Sequence, residues 1–459
     1  MTRLASLRAH LPQPAALPWS KPRFELLLLA LIAVVALSPV DHASDPDASR
    51  LCLSQALAHG HLAISPCIGF SVDFSIYGGH VYSDKAPGMS VLSIPAVEAI
   101  GIRPPNNWSN NGELPVWGVH VLTTGIFFVL IAAAVGRISE GLAPGFGSAA
   151  LVTFALGTMT GSLSESSFGH VPTGALAFFA FLLLGRGRAG PAGLLAGCAV
   201  AVEYETAAIA VILAGYAALS GRRSVLEYAL GAVPPLALLI AYDWAAFGSP
   251  FHVPYEYLGH PASQAGQSSG LLGINLPNWH AVHLVFVGDR GLLVTTPVLV
   301  AAAAGLVQLG RRYRAEAIVC GLVAAIYLIA NCGYYLPYGG SSPGPRFVTP
   351  MLPFLALGLG PAFARRRAVT TALAAASVVA MTALTLTWAA SEPYPGTVWR
   401  QIVHVFTDGG SSGLAKELAN NVVTWLGATR HAGAALVIAC AIGAFAVSIL
   451  GPRRAAAAG

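Results

Sequence analysis

Long apolar runs recur along almost the whole chain, and they limit what it can fold into. Residues 24–40, 115–135, 146–163, 171–185, 225–246, 291–309, 315–333, 348–364, 368–389 and 432–450 approach or reach bilayer-crossing length, roughly 17–25 apolar residues for a helix. In lipid every backbone N–H and C=O must be satisfied inside the protein, so runs of this kind specify helices packed on helices. A further apolar stretch, 190–219, is interrupted by Glu203-Tyr204-Glu205 and flanked by Arg186/Arg188 and Arg222/Arg223. Basic residues at both ends put both ends in one compartment, so it reads as two short helices with an acidic tip outside. The expected fold class is an all-α polytopic membrane protein with about 12 transmembrane helices. Only 10% of the residues are charged, against roughly 25% in a soluble globular chain.

Charge placement orients this layout. With the N-terminus in the cytoplasm, 17 of the 25 Lys and Arg fall on inner segments, while about 16 of the 20 acids fall outside. Short basic inner loops are the usual signature of that orientation. The expected organisation is a cytoplasmic tail (1–23), a transmembrane domain (24–450) and a second cytoplasmic tail (451–459). The first apolar run reads as a retained signal anchor, because no convincing small-residue cleavage pattern follows it. The net charge of +5 gives no support for a nucleic-acid partner, since the cations sit in short inner loops. The expected location is the inner (plasma) membrane of a cell envelope, with the working face outside.

Three outer segments exceed ordinary loop length: 41–114, 247–290 and 390–431. Long loops are most often functional. The first holds a polar island, Asp47 to Pro87, in a chain where ionisable groups are costly unless water, a ligand or chemistry retains them. From Asp47 the residues to Ala58 have near-helical apolar spacing and end at Gly60, which predicts an amphipathic helix lying along the membrane surface. Asp47 falls at its start, with Arg50 one turn along. Cys52 and Cys67 share this loop, where an oxidising compartment would permit a disulfide. Cys198, Cys320, Cys332 and Cys440 lie in or beside apolar spans and show no metal-ligand spacing.

The pattern Asp47-x-x-Arg50, then Ala58-His59-Gly60, then Tyr82-x-Asp84-Lys85-x-Pro87-Gly88 resembles the integral-membrane glycosyltransferases of the GT-C superfamily. The nearest resemblance is to the family 39 branch, which contains the protein O-mannosyltransferases and the lipid A aminoarabinose transferases. The segment Gly340-Ser341-Ser342-Pro343-Gly344-Pro345-Arg346-Phe347 is similar to one found in bacterial relatives. The chain departs from the pattern at Ala48, where many members carry a second acidic residue. Asp41 and Asp45 are rivals for the family's acidic position, and the spacing to Arg50 favours Asp47.

The resemblance implies transfer of a hexosyl or pentosyl group from a polyprenyl-phosphate donor to a hydroxyl on a glycan, lipid or protein, with inversion. An acceptor hydroxyl is a weak nucleophile, so a carboxylate must take its proton; Asp47 is the candidate, with Arg50 either orienting it or touching phosphate. A departing lipid phosphate needs fixed cations, and Lys85, Arg346 and Arg290 are the candidates. Asp84, Asp73, His170 and Glu203 are candidate substrate contacts. Each has a plainer alternative: Asp47 as a helix cap, Lys85 as a surface ion pair with Asp84, Arg346 and Arg290 as snorkelling interfacial cations. The tyrosines Tyr255, Tyr257, Tyr334, Tyr335 and Tyr338 fit an interfacial aromatic belt.

No Walker loop, dinucleotide fingerprint or His-Glu-x-x-His occurs, so nucleotide hydrolysis and zinc peptidase chemistry have no support. The sequence calls for no cofactor and assigns no metal ligands. A divalent cation stays open on scattered carboxylates alone. The alternative function is a transporter or flippase of lipid-linked or small solutes, which would bind at the midplane through broken helices. Convergence of Asp47, Lys85 and Arg346 on one outward cavity would separate the two.

Overall fold

Helices form on every one of the apolar runs in a computed structural model that describes residues 22–40, 44–65, 67, 71–102, 113–340, 342–387, 397–407, 418 and 420–450. Asp41, Ser341, most of the 1–23 tail, the 451–459 tail and much of the 390–431 loop lie outside the described residues. The first helix, α1 (Pro22–Leu37), leads into a two-residue strand, β1 (Pro39–Val40), which pairs antiparallel with Asn420–Asn421. Asn421 also donates through Nδ2 to Ser38 Oγ at 2.9 Å. The start and end of the chain's helical body are thereby held together.

The long loop that follows contains α2 (Asp45–Ala58), a hairpin of β2 (Phe74–Tyr77) and β3 (His80–Ser83), and α3 (Gly88–Ile100). Two glycines make the hairpin turn, Gly78 and Gly79, with φ of 58° and 79°. Both central residues at positive φ match the right-handed strand twist, which is why Gly-Gly suits a two-residue connection. The helix expected from Asp47 is present, but it lacks the exposed polar face expected of an amphipathic surface helix. Residues 46–54 are buried on every face, because α2 packs between α3 and the hairpin. Its small polar residues account for the difference. Ser49 bonds Ser83 across 2.8 Å, and Ser54 donates to the Arg50 and Ser90 carbonyls at 2.9 Å. A disulfide between Cys52 and Cys67 pins α2 to the chain leading into the hairpin.

The body then runs through α4 (Leu114–Leu142), α5 (Gly147–Leu156), α6 (His170–Gly185), α7 (Ala189–Val202), α8 (Ala207–Ala218) and α9 (Arg222–Phe247). Further on come α10 (Arg314–Gly333), α11 (Arg367–Thr387) and α12 (Arg430–Leu450). Among the described residues, five helices are long and apolar enough to cross a membrane: α4, α9, α10, α11 and α12. Two bent pairs raise that to seven if each is one span, Trp279–Thr295 with Val298–Leu309 (84°) and Arg346–Ala356 with Leu359–Arg365 (57°). The first breaks at Pro297, which has no N–H to continue the helix. Among the described residues α5, α6, α7 and α8 are apolar but shorter than these spans, so the twelve passes expected are not established by helix length.

Stretch 190–219 divides as anticipated, into α7 and α8 around Glu203-Tyr204-Glu205. The tip reaches the outer loop. Gly88, at the start of α3, lies against the backbone of Ala201, and a Cβ there would run into the Ala201 carbonyl. This close approach sets Asp84 and Lys85 beside Glu203. In α4, residues Val121–Gly125 form a π-helical turn directly after His120, a feature often found at functional sites.

Candidate functional site

The first outer loop, the α7–α8 tip, the segment after α9 and the chain around Arg346 enclose one cavity of about 1050 Å³. Asp47, Arg50, Asp73, Asp84, Lys85, His170, Glu203 and Arg346 all line it. These residues come from positions 47 to 346, so the tertiary fold, rather than local sequence, assembles them.

Asp47 is held by the start of α2. Ser44 caps the helix and accepts from the Asp47 N–H, while Ser44 N and Oγ donate back to Asp47 Oδ2 at 2.8 and 2.6 Å. This reciprocal capping box satisfies two otherwise orphaned backbone donors. The Ser167 N–H donates to Oδ1 at 2.7 Å, and His120 Nε2 lies 3.3 Å from the same oxygen. Burial works against the charged form, but the His120 and Ser44 contacts outweigh it and hold the carboxyl well below the ordinary carboxylate range. His120 also faces Glu165, with Nδ1 3.6 Å from Oε1. Cap and cavity group are therefore one residue. The sequence reading missed His120 and Glu165; the signal available was a histidine and a glutamate inside apolar segments, where ionisable residues are rare.

Arg50 and Glu203 form a buried ion pair between Arg50 Nη2 and Glu203 Oε1. Both are about 2% exposed. Removing one member of such a pair leaves an uncompensated charge, at a cost of about 3–5 kcal/mol. This pairing gives both residues a definite partner that the loop sequence did not disclose, and it directs Arg50 at Glu203 rather than at the Asp47 carboxylate it was expected to orient.

Lys85 lies between two carboxylates, 2.7 Å from Asp84 Oδ2 and 3.0 Å from Asp73 Oδ2. Ser49 Oγ donates to Asp84 Oδ1 at 3.2 Å. Burial lowers the charged form of Lys85, but Asp73 and Asp84 overcome it and raise its pKa. Burial also opposes ionisation of Asp73, yet the Lys85 ammonium brings it below the usual range. Asp84 goes the other way: burial, with the charge of Asp73 adding to it, outweighs Lys85 and pushes the carboxyl up to about 6. Lys85 is thus paired with Asp84 as the plainer alternative had it, but buried in the cavity wall rather than on the surface. Among the described residues no group of three or more His, Cys, Asp or Glu is arranged to hold a metal.

Arg346 is different. No ion pair engages it among the described residues; its guanidinium lies over the Phe168 ring at 4.5 Å and the Phe347 ring at 5.4 Å, and its Nε is buried without a hydrogen-bond partner. Cation–π contacts hold an arginine without consuming its charge. Arg290, the other predicted phosphate contact, does not line the cavity: it donates to the Ser342 carbonyl at 2.9 Å and lies over Tyr338 at 4.5 Å. His170 and Glu205 face each other at 3.6 Å. The five residues 166–170 link these groups, since Ser167 bonds Asp47, Phe168 carries Arg346 and His170 meets Glu205.

Tyr255, Tyr334 and Tyr335 line the cavity, whereas Tyr257 packs on Phe247 and Tyr77. The 247–290 segment lines the cavity too, through Tyr255, Leu258, Gln267 and Leu271. Ser75 Oγ donates to the Pro254 carbonyl at 2.7 Å and joins this segment to the hairpin.

No protein-family profile matches the chain, and no curated protein matches it by sequence. The fold does match. ArnT from Cupriavidus metallidurans bound to undecaprenyl phosphate superposes with a TM-score of 0.53 at 13% identity, covering 95% of this chain and 77% of that one. The same protein in the apo state gives 0.50 at 13% identity, with 94% and 76% covered. The apo oligosaccharyltransferase of Archaeoglobus fulgidus overlaps more loosely, at 0.43 and 15% identity over 86% and 59%. The chain is a multi-pass membrane protein with the GT-C type of fold.

Proposed function

We propose that this protein is a GT-C glycosyltransferase that moves a hexosyl or pentosyl group from a polyprenyl-phosphate donor to a hydroxyl acceptor at the outer membrane face. The observation that carries the proposal is the convergence of Asp47, Lys85 and Arg346, distant in sequence, on one cavity. Dispersal of these groups would have favoured the transporter or flippase reading. ArnT's structure with undecaprenyl phosphate supports a lipid-phosphate donor for a chain of this fold.

In this reading the acceptor oxygen attacks the anomeric carbon, the bond from that carbon to the phosphate oxygen breaks, and the phosphate leaves with its electron pair. Arg346 meets the developing phosphate charge, because it is the cavity cation without a carboxylate partner among the described residues. Lys85 contributes when it loosens its hold on Asp84. Asp47 takes the acceptor proton. It is a weak base, but a hydroxyl bonding to an oxocarbenium-like carbon becomes a far stronger acid, so transfer late in bond formation suffices. Arg50 fixes Glu203 and, through their pair, the α7–α8 tip. Asp73 and Asp84 hold Lys85. Glycan, lipid and protein hydroxyls are all within the proposal. The donor set gives a divalent cation no role here, since the Lys85 ammonium already occupies the space between Asp73 and Asp84.

The direct test is purified protein in bilayer discs, supplied with a panel of polyprenyl-phosphate-linked hexoses and pentoses. The expected result is binding of undecaprenyl phosphate and release of free polyprenyl phosphate from at least one panel member. Failure to bind undecaprenyl phosphate at all would sink the proposal.

A further inference from the structure

Glu205 and His170 sit at the cavity wall with their polar atoms unused. Neither Glu205 Oε1 nor His170 Nδ1 has a hydrogen-bond partner among the described residues, although both atoms are buried. Their separation of 3.6 Å is too long for a direct hydrogen bond. His170 is 3% exposed. Leaving buried polar groups without partners costs stability, and more for a charged one. Such a cost concentrated in a cavity marks a place where a ligand supplies the missing bonds.

The neighbours say which part of the ligand. Phe347 packs edge-on to His170 at 5.2 Å and to Tyr334 at 4.9 Å, and Arg346 lies over Phe347. An anion held by Arg346 therefore stands next to a carboxylate, an imidazole and two aromatic rings. A carboxylate repels phosphate but accepts hydrogen bonds from hydroxyls. A hydroxyl oxygen about 2.8 Å from each of Oε1 and Nδ1 forms an ordinary hydrogen-bonding triangle across their gap. An aromatic face suits the C–H face of a sugar ring.

Resting on the proposed donor chemistry, we infer that Glu205 and His170 form the subsite that reads the hydroxyls of the donor's sugar, while Arg346 holds the adjoining phosphate. The sequence reading had named Glu203, with His170, among the substrate contacts; the fold commits Glu203 instead to Arg50. Glu205 is its neighbour two residues on, turned into the cavity by the single helical turn Tyr204–Thr206.

The test compares two probes on the full-length protein in bilayer discs: undecaprenyl phosphate, and the same lipid phosphate carrying each hexose or pentose of the panel. In the wild type at least one sugar-bearing lipid binds more tightly than the bare lipid phosphate. Glu205→Gln weakens that sugar-bearing lipid about tenfold or more, leaves undecaprenyl phosphate within about twofold of wild type, and keeps the thermal unfolding midpoint. His170→Gln gives a smaller loss of the same selectivity. Equal weakening of both probes overturns the inference, because Glu205 would then serve the phosphate or the fold. No weakening of either also overturns it, as does a wild type that binds every panel member no more tightly than undecaprenyl phosphate. A wild type that binds no undecaprenyl phosphate rejects the function itself, which keeps the two failures apart.

Discussion

One end of the cavity is saturated and the other is not. Around Asp47, Arg50 and Lys85 nearly every charge has a partner: a capping box, a buried Arg–Glu pair, an ammonium between two carboxylates. Around Arg346, His170 and Glu205 the charges rest on aromatic faces or across gaps too long for hydrogen bonds. The two ends do different work. A saturated group is rigid and already oriented, which suits a base that must point at one oxygen. An unsaturated group has bonding capacity left for substrate.

The largest expected effect tests the saturated end. Asp47→Asn keeps the shape of the cap but removes the proton acceptor, so transfer in membranes should fall at least about 10²-fold. Loss of the carboxylate also leaves His120 without its anionic partner and so costs more stability than an exposed cap would, and the variant should nevertheless remain inserted and folded. Full activity in that variant would remove Asp47 as the base and leave it a cap.

Next comes the unsaturated end. Arg346→Gln removes the cation facing the leaving phosphate, and kcat should drop about 10²–10³-fold, as for loss of a donor that stabilises developing charge. Arg346→Lys should restore part of it. If KM rose while kcat stayed level, Arg346 would be holding ground-state donor rather than assisting departure.

A pH experiment sharpens the boundary between the ends. With its carboxyl near 6, Asp84 is protonated below that value and charged above it. On the acid side Lys85 keeps only Asp73 as a charged partner and has more of its ammonium to offer a phosphodiester. Donor KM should therefore fall as pH drops through about 6, and Asp84→Asn should flatten that dependence. An activity that instead collapses on the acid side, and is lost at every pH in Asp84→Asn, would make Asp84 the base. Asp47, held well below the carboxylate range, produces no limb there.

The smallest effect concerns a residue outside the cavity. Arg290→Ala should change donor kinetics less than about threefold, since its guanidinium bonds the Ser342 carbonyl and covers Tyr338. A loss comparable to that of Arg346→Gln would mean that the cavity's phosphate end extends to it. Stability, by contrast, can fall modestly through the lost hydrogen bond, about 1.5–3 kcal/mol for a charged donor.

Much of the saturated end was legible in the chain. Asp47, Arg50, Asp84 and Lys85 lie in one loop with distinctive spacing, and the helix from Asp47 could be drawn from its pattern. Its burial could not, because Ser49 and Ser54 look like surface residues until Ser83 and Ser90 are brought against them. The unsaturated end was barely legible. Glu203 and Glu205 are indistinguishable in sequence, and only the turn at Tyr204 sends one to Arg50 and the other to His170. Arg290 and Arg346 likewise read as equivalent loop cations, yet only Arg346 lines the cavity. Helix positions followed from apolar length, whereas the number of full crossings did not, because Gly157, the acidic tip and Pro297 break runs that hydropathy averages over.

The bond between Cys52 and Cys67 carries a consequence for how this protein must be made. It fastens the helix bearing Asp47 and Arg50 to the chain that leads into the hairpin preceding Asp84 and Lys85. Protein synthesised in a cell-free lysate with excess dithiothreitol would reach the bilayer with that staple open. Its two halves of the outer loop would then have to find each other through weak contacts alone, so an oxidising maturation step belongs in any preparation whose turnover is to be believed.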